Sequence, residues 1–284
     1  MDTTVTLRPM LACNGNPRDL LRLAEDDNIA YEQKVDGMRL LVSITETRVD
    51  FRNRKGETFK QYLPPGLDAQ LATLGPGFVL DGELVEDTKG RRTLFIFDVL
   101  DTPAGTTIQK PFSLRRNLLE HIFGLWSAPG VELLPSYTGR VAKLTVAKRL
   151  LENGAEGVIA KALDAIYVPG LRSPGLQKLK FVKEIDVVVT GKRINGKDNL
   201  AFGVYSNGRL VPLGEVTALA GDGDKLEVGD VACVQYLYAV DPNRPKLVQP
   251  TRPLKRTDKA PEECTLDQIN FTDKTVLRVE DLNL

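Results

Sequence analysis

At 284 residues the chain is longer than one domain usually is, and its 42% hydrophobic and 27% charged residues are ordinary for a soluble globular protein with two cores. Lysine plus arginine equals aspartate plus glutamate at 38 each, so bulk charge gives no sign of a nucleic-acid partner, and any such contact must come from a local patch. No apolar run is long enough for a membrane span, residues 1–10 lack an apolar signal region, and Cys13, Cys233 and Cys264 are too scattered for a disulfide framework or a zinc ribbon.

In chain order, Arg18 to Glu25 reads as a short helix. Leu40, Val42 and Ile44 then alternate as in a strand, with Val49 and Phe51 continuing the pattern. Phe78 to Leu80 and Leu94 to Phe97 are short apolar runs of buried-strand type. Ser113 is placed to cap a helix over Leu114 to Phe123, because Leu114, Leu118 and Ile122 share one face. His121, the single histidine, falls in that helix with no partner type nearby and is assigned no role. A second helix is expected over Val141 to Asn153, with Gly154 just past its end, and Gly157 to Lys161 returns to strand.

Beyond Lys183 the texture changes. Ile185 to Thr190, Leu200 to Tyr205, Arg209 to Leu213 and Val231 to Val240 read as strands, separated by turns at Gly191 to Asn199, Ser206 to Gly208 and Gly221 to Gly229. That spacing predicts a small β-barrel, and the boundary is placed so that residues 1–184 form one domain and 185–284 the other. The last 20 residues, with a turn at Asp273-Lys274, are open between a closing strand and a docked tail.

Taken alone, Lys34-Val35-Asp36-Gly37-Met38-Arg39 is a charged turn before a strand. It is followed by Arg54 in Arg-Asn-Arg-Lys-Gly, Glu83 in Leu-Asp-Gly-Glu-Leu, Phe97-Asp98 at a strand end, Glu156-Gly157 through Lys161, and Lys178-Leu179-Lys180. In this order, over residues 7 to 183, the series resembles that of the covalent nucleotidyltransferases: ATP-dependent DNA ligases, RNA ligases and mRNA capping enzymes. The resemblance implies an α+β protein: an antiparallel-sheet, ATP-grasp-like nucleotidyltransferase domain followed by a small OB-fold barrel. It makes Lys34 the residue that bonds to AMP, with ATP and Mg²⁺ or Mn²⁺ as cofactors.

A lysine amine attacks phosphorus only when neutral, so its pKa must fall from about 10.4. Lys178 and Lys180, two apart on a strand, point to one face, and with a metal they would supply the positive field. They would hold the α-phosphate and ease pyrophosphate departure. By the same resemblance Arg39 and Arg54 contact the nucleotide or a nick phosphate, a task suited to the guanidinium fork. Glu83 binds ribose, Phe97 stacks on adenine, Lys161 lines the nucleotide pocket, and Glu83 and Glu156 are the metal carboxylates. Asp36 orients Lys34 or joins in metal binding. Glu32, two before the lysine, meets the base, where a carboxylate accepting from the adenine amino group favours ATP over GTP.

Leu7 to Ala12 resembles the Pro-Met-Leu-Ala opening of DNA ligases. Thr251 to Lys259 resembles their last motif, Arg-x-Asp-Lys, with Arg256, Asp258 and Lys259 matching; Val248 stands where the family carries an arginine. Lys178 to Lys197 holds six basic residues, among them Lys192, Arg193 and Lys197, against Glu184 and Asp186, and is the local patch expected to meet nucleic acid. The loop from Gly191 to Asn199 is too short for a long clamp-like insertion. The expected activity is therefore ATP-dependent sealing of 5′-phosphate/3′-hydroxyl nicks in duplex DNA by a cytoplasmic monomer. An RNA ligase or capping enzyme, and a non-catalytic nucleic-acid-binding protein on a ligase scaffold, are the alternatives.

Overall fold

The computed structural model describes residues 7–194, 198–217, 226–272 and 276–277. It is mixed α+β, with many strands and few helices. In chain order these are β1 (Leu11–Asn14), α1 (Leu20–Glu25), β2 (Ile29–Gln33), β3 (Met38–Ile44), β4 (Val49–Arg52), α2 (Leu67–Ala72) and β5 (Val79–Glu86). Then come β6 (Arg92–Thr102), β7 (Gly105–Thr106), α3 (Phe112–Leu125), β8 (Val131–Leu133), β9 (Ser136–Tyr137), α4 (Arg140–Glu152), β10 (Gly157–Ala162) and β11 (Arg172–Lys180). The remainder is β12 (Lys183–Ile194), β13 (Asp198–Ser206), β14 (Arg209–Thr217), β15 (Val231–Tyr236), β16 (Tyr238–Val240), β17 (Lys246–Val248) and β18 (Thr251–Arg256).

Two compact units emerge: Met1–Leu150 with Gly157–Lys180 and Lys274–Leu284, and Leu151–Glu156 with Phe181–Asp273. In the first, one sheet runs β1-β11-β10-β2-β9 and another β4-β3-β5-β6-β7, with β8 beside β6. Most pairings are antiparallel, but β1/β11 and β6/β8 are parallel. Alternation along β3 explains the layering. Leu40, Val42 and Ile44 turn to a core shared with Leu67, Leu71, Leu119 and Ile122 of α2 and α3, while Leu41 packs on Met10, Tyr167 and Leu176. Each such fully buried leucine contributes roughly 1.5–3 kcal/mol relative to an exposed one.

The helix expected to be capped by Ser113 starts earlier, at Phe112. Its first amides are satisfied by chain rather than by a hydroxyl: Phe112 N–H donates to the Ala165 carbonyl and Ser113 N–H to that of Leu163, both at 2.8 Å. The second expected helix is α4, and Gly154 beyond it takes the left-handed conformation at φ 70°. At the chain end, Leu277 docks on the first unit, its N–H donating to Gln33 Oε1 at 2.9 Å and its carbonyl accepting from the Tyr137 hydroxyl. The expected turn at Asp273-Lys274 lies outside the described residues.

The second unit holds an antiparallel sheet in the order β14-β13-β12-β15-β18, with β16-β17 as a separate pair. Gly191 to Asn199 is shorter still as a loop than the sequence suggested. Gly191 through Ile194 stay in β12, paired to Asp198 through Ala201, because Lys192 faces Leu200 in an unbroken ladder. Within the Gly221 to Gly229 segment, 221–225 lie outside the described residues.

Lys183 opens β12 half-buried, its ammonium donating to the Leu237 carbonyl at 3.0 Å. Burial lowers its pKa from 10.5 to about 8. A folded-state value below the unfolded one penalises the charged folded form, fully so below pH 8, and the penalty lifts as pH rises towards 10.5. Stability should therefore climb over that window by on the order of 1–2 kcal/mol, after allowance for solvent screening. Lys183→Met should lose this climb and gain stability at pH 7. Urea unfolding of both proteins at pH 7 and pH 10 checks it, and identical pH dependence would refute it.

Candidate active site

Lys34 lies where the chain leaves β2 of one sheet to enter β3 of the other, and its N–H donates to the Gly157 carbonyl at 2.9 Å. Gly37 makes the crossing possible: a Cβ there would lie 2.3 Å from the Leu84 carbonyl oxygen, so the Lys-x-Asp-Gly turn admits no side chain at its last position. Lys178 and Lys180 sit on β11, which is internal to its sheet, between β1 and β10, and not an edge strand. Lys178 pairs with Ile159 on one side and Asn14 on the other. Burial lowers the Lys178 pKa, and the charges of Lys180, Arg172, Lys34 and Arg54 lower it further. The structure thus gathers Lys34, Arg54, Lys178 and Lys180, and adds Arg172, which sequence reasoning missed. Arg54 itself is exposed, in the turn after β4.

Carboxylates also lie within reach of the Lys34 charge. Asp81 and Glu83 share a face of β5 by alternation, and Arg39 of β3 pairs in register with Glu83. Burial pushes the Glu83 carboxyl up to about 7; Arg39 and Lys34 pull it back, while Asp81 and Asp36 push it further. Arg39 grips Asp81 with both prongs, Nε to Oδ1 at 2.6 Å and Nη2 to Oδ2 at 2.7 Å. Burial opposes the charge on Arg39, but Asp81, Tyr167 and Glu83 together outweigh it and the pKa rises.

A β-bulge aims the aromatic. Asp81 faces Asp98 and Gly82 faces Ile96, which leaves Phe97 as the extra residue of β6. Its ring lies under two cations, the Arg39 guanidinium carbon at 4.6 Å and the Lys161 ammonium at 4.8 Å from the centroid. Lys161 also pairs with Glu32, Nζ to Oε2 at 2.6 Å. Glu32 is 1% exposed, and its other oxygen, Oε1, has no hydrogen-bond donor among the described residues; Arg116 Nη1 stands off at 4.0 Å. A buried carboxylate oxygen in this state is an acceptor waiting for a donor.

The remaining predicted residues belong to the second unit. Glu156 is buried in the second unit, its carbonyl accepting from Phe181 N–H. In that same unit Arg256 grips Asp258 with two bonds of 2.7 Å and reaches Asp186 at 3.3 Å, while Lys259 bonds Asp186 at 2.8 Å. The Arg256 bond holds the Asp258 carboxyl down at about 2. Asp186, counted in the sequence only as an acid in a basic stretch, is the anchor of this cluster. Lys192 pairs with Glu227 at 2.7 Å. The Arg193 side chain and all of Lys197 fall outside the described residues. Among the described residues no group of three or more His, Cys, Asp or Glu forms a ready-made metal cage, and no helix is long and apolar enough to cross a membrane.

Cations, buried carboxylates and an aromatic gathered around the chain at Lys34 are an arrangement suited to nucleotidyl transfer. The family described as ATP dependent DNA ligase domain matches residues 9–93 and 86–180, more than half the chain, and the chain belongs to that family. It is 27% identical to the DNA ligase of Thermococcus onnurineus over 93% of its own length, and spans 58% of that relative. It is 26% identical to DNA ligase C1 of Mycolicibacterium smegmatis over 85% of this chain and 88% of the relative. Among solved structures, mycobacterial DNA ligase D complexed with ATP and MES superposes with a TM-score of 0.55, at 27% identity, over 91% of this chain and 98% of that one.

Proposed function

We propose that the chain seals nicks in duplex DNA at the expense of ATP, through an AMP bonded to Lys34. The observation that carries this reading is that the charge of Lys34 acts on both Lys178 and Glu83. Lys34 Nζ attacks the α-phosphorus; the N–P bond forms as the bond to pyrophosphate breaks, with Lys178 and Lys180 taking up the developing charge. AMP then passes to the 5′-phosphate of the nick and frees the lysine. The 3′-hydroxyl finally attacks that activated phosphate and AMP leaves.

Adenine is the base the pocket favours, because its amino group is the donor that Glu32 Oε1 lacks, whereas guanine presents a carbonyl in the same place. Glu83, Phe97, Arg39 and Lys161 complete the proposed nucleotide pocket. The metal proposed is Mg²⁺, which keeps water and takes only one or two carboxylates beside substrate phosphates. Glu83 and Glu156 would hold it, with Asp36 near Glu83, and when bound it would neutralise phosphate charge. The first unit is read as the ATP-grasp-like nucleotidyltransferase domain and the second as an OB-fold barrel that brings Arg256, Asp258 and Lys259 to the β,γ-phosphates. Lys192, Arg193, Lys197 and Arg54 are the proposed DNA contacts of a monomer.

A gel assay tests the reading. A 5′-labelled nicked duplex incubated with ATP and Mg²⁺ should yield the joined strand, with no product when GTP replaces ATP. Joining only of RNA nicks, or covalent labelling by GTP in preference to ATP, would overturn it in favour of an RNA ligase or a capping enzyme.

A further inference from the structure

Tyr167 lies in the irregular segment between β10 and β11, a region in which sequence pattern offers no reason to single it out. It is 2% exposed, and its hydroxyl is used twice: it accepts from the Met10 N–H at 2.8 Å and donates to Asp81 Oδ2 at 2.6 Å. Asp81 is 0% exposed and spends its remaining capacity on the two prongs of Arg39. Arg39 Nη2 also reaches the Met10 carbonyl at 3.4 Å. Four chain segments therefore meet in one closed circuit: the residue ahead of β1, β3, β5 and the segment ahead of β11. Both sheets of the first unit are tied through it.

The circuit leaves one end open. Arg39 Nε and Nη2 are committed to Asp81, Nη1 has no hydrogen-bond acceptor among the described residues, and the guanidinium carbon lies over Phe97, 4.6 Å from the ring centroid. A fork fixed along one edge and packed on one face can present its remaining nitrogen in one direction only. We infer that Tyr167, acting through Asp81, is a positioning residue that holds Arg39 ready for the nucleotide; this rests on the proposed reading of the Lys34 pocket. The phenol stays protonated and so remains a donor, since burial and the neighbouring Asp81 carboxylate both push its pKa up. Without its hydroxyl, Asp81 loses a charge-assisted bond and is free to rotate, taking Arg39 with it.

The experiment is the dependence of the self-adenylylation rate on ATP concentration, measured with the full chain in single turnover. Tyr167→Phe keeps the ring and removes only the bond. It should raise the ATP concentration needed for half-maximal rate about tenfold, with the fraction of protein that becomes labelled unchanged. Arg39→Ala should raise it at least as much, and the double variant should be no worse than Arg39→Ala alone, because Tyr167 acts only through Arg39. A lower labelled fraction with unchanged ATP dependence, or additive effects in the double variant, would assign Tyr167 to packing alone and overturn the inference. Failure of the wild-type protein to label with ATP would instead refute the function proposed for Lys34, so the two failures are distinguishable.

Discussion

Lys34→Ala is expected to abolish covalent labelling by ATP carrying a radioactive α-phosphate, a loss on the order of 10³-fold or more, because the proposed bond to phosphorus forms at its amine. Lys34→Arg should fail equally. An arginine stays protonated and offers no lone pair, however well it fits the space. The defect should be confined to the first step. Given a nick whose 5′-phosphate already carries AMP, Lys34→Ala should still join the strands, since the last step needs only the 3′-hydroxyl, the bound nick and the surrounding cations. Labelling that survives in Lys34→Ala would sink the assignment. Failure on the pre-adenylated nick would show that Lys34 also serves a later step.

The largest effect on stability is expected at Asp98 and Arg115. Both are buried, and Arg115 binds Asp98 through Nε at 2.7 Å and Nη2 at 2.9 Å. Its Nη1 donates to the carbonyls of Lys110 at 2.6 Å and Ala165 at 3.1 Å. Asp98→Asn leaves the guanidinium charged with no counter-charge in a low-dielectric site, at a cost of about 3–5 kcal/mol. Replacing both partners by apolar residues of similar size, Asp98→Leu with Arg115→Met, should recover much of that loss, since the desolvation of both charges then disappears. Denaturant unfolding of the two variants decides it. A double variant no more stable than Asp98→Asn would show that the hydrogen bonds to Lys110 and Ala165, and not the ion pair, hold α3 in place.

What could be read from the sequence follows period and spacing. Alternation in Leu40, Val42 and Ile44 marked β3 and its buried face. The same rule, applied to Leu80-Asp81-Gly82-Glu83, already places Asp81 beside Glu83, yet the ion pair with Arg39 needs the neighbouring strand and its register. Tyr167 had no such signal, because it lies in an irregular segment. Asp186 was hidden by its neighbours: one of two acids in a basic stretch, it shows its use only once β12 meets the end of β18 and the chain just beyond it. The bulge at Phe97 is a property of two strands at once, and Ser113 looked like a helix cap because the carbonyls of Leu163 and Ala165, which fill that need, come 50 residues later in the chain.

The parallel pairing of β1 with β11 sets Leu11 beside Arg172. Contacts so distant along the chain form slowly, because a large loop must close before any bond rewards it. On a ribosome, β2 and Lys34 emerge early and have to wait for β10, whose Gly157 accepts from the lysine's own N–H. The basic strand comes later still, and only its arrival gives β1 a partner. The strand carrying Lys178 and Lys180, the proposed phosphate-binding surface, is thus among the later parts of the first unit to be assembled, and until β11 is made Lys34 stands without their proposed field.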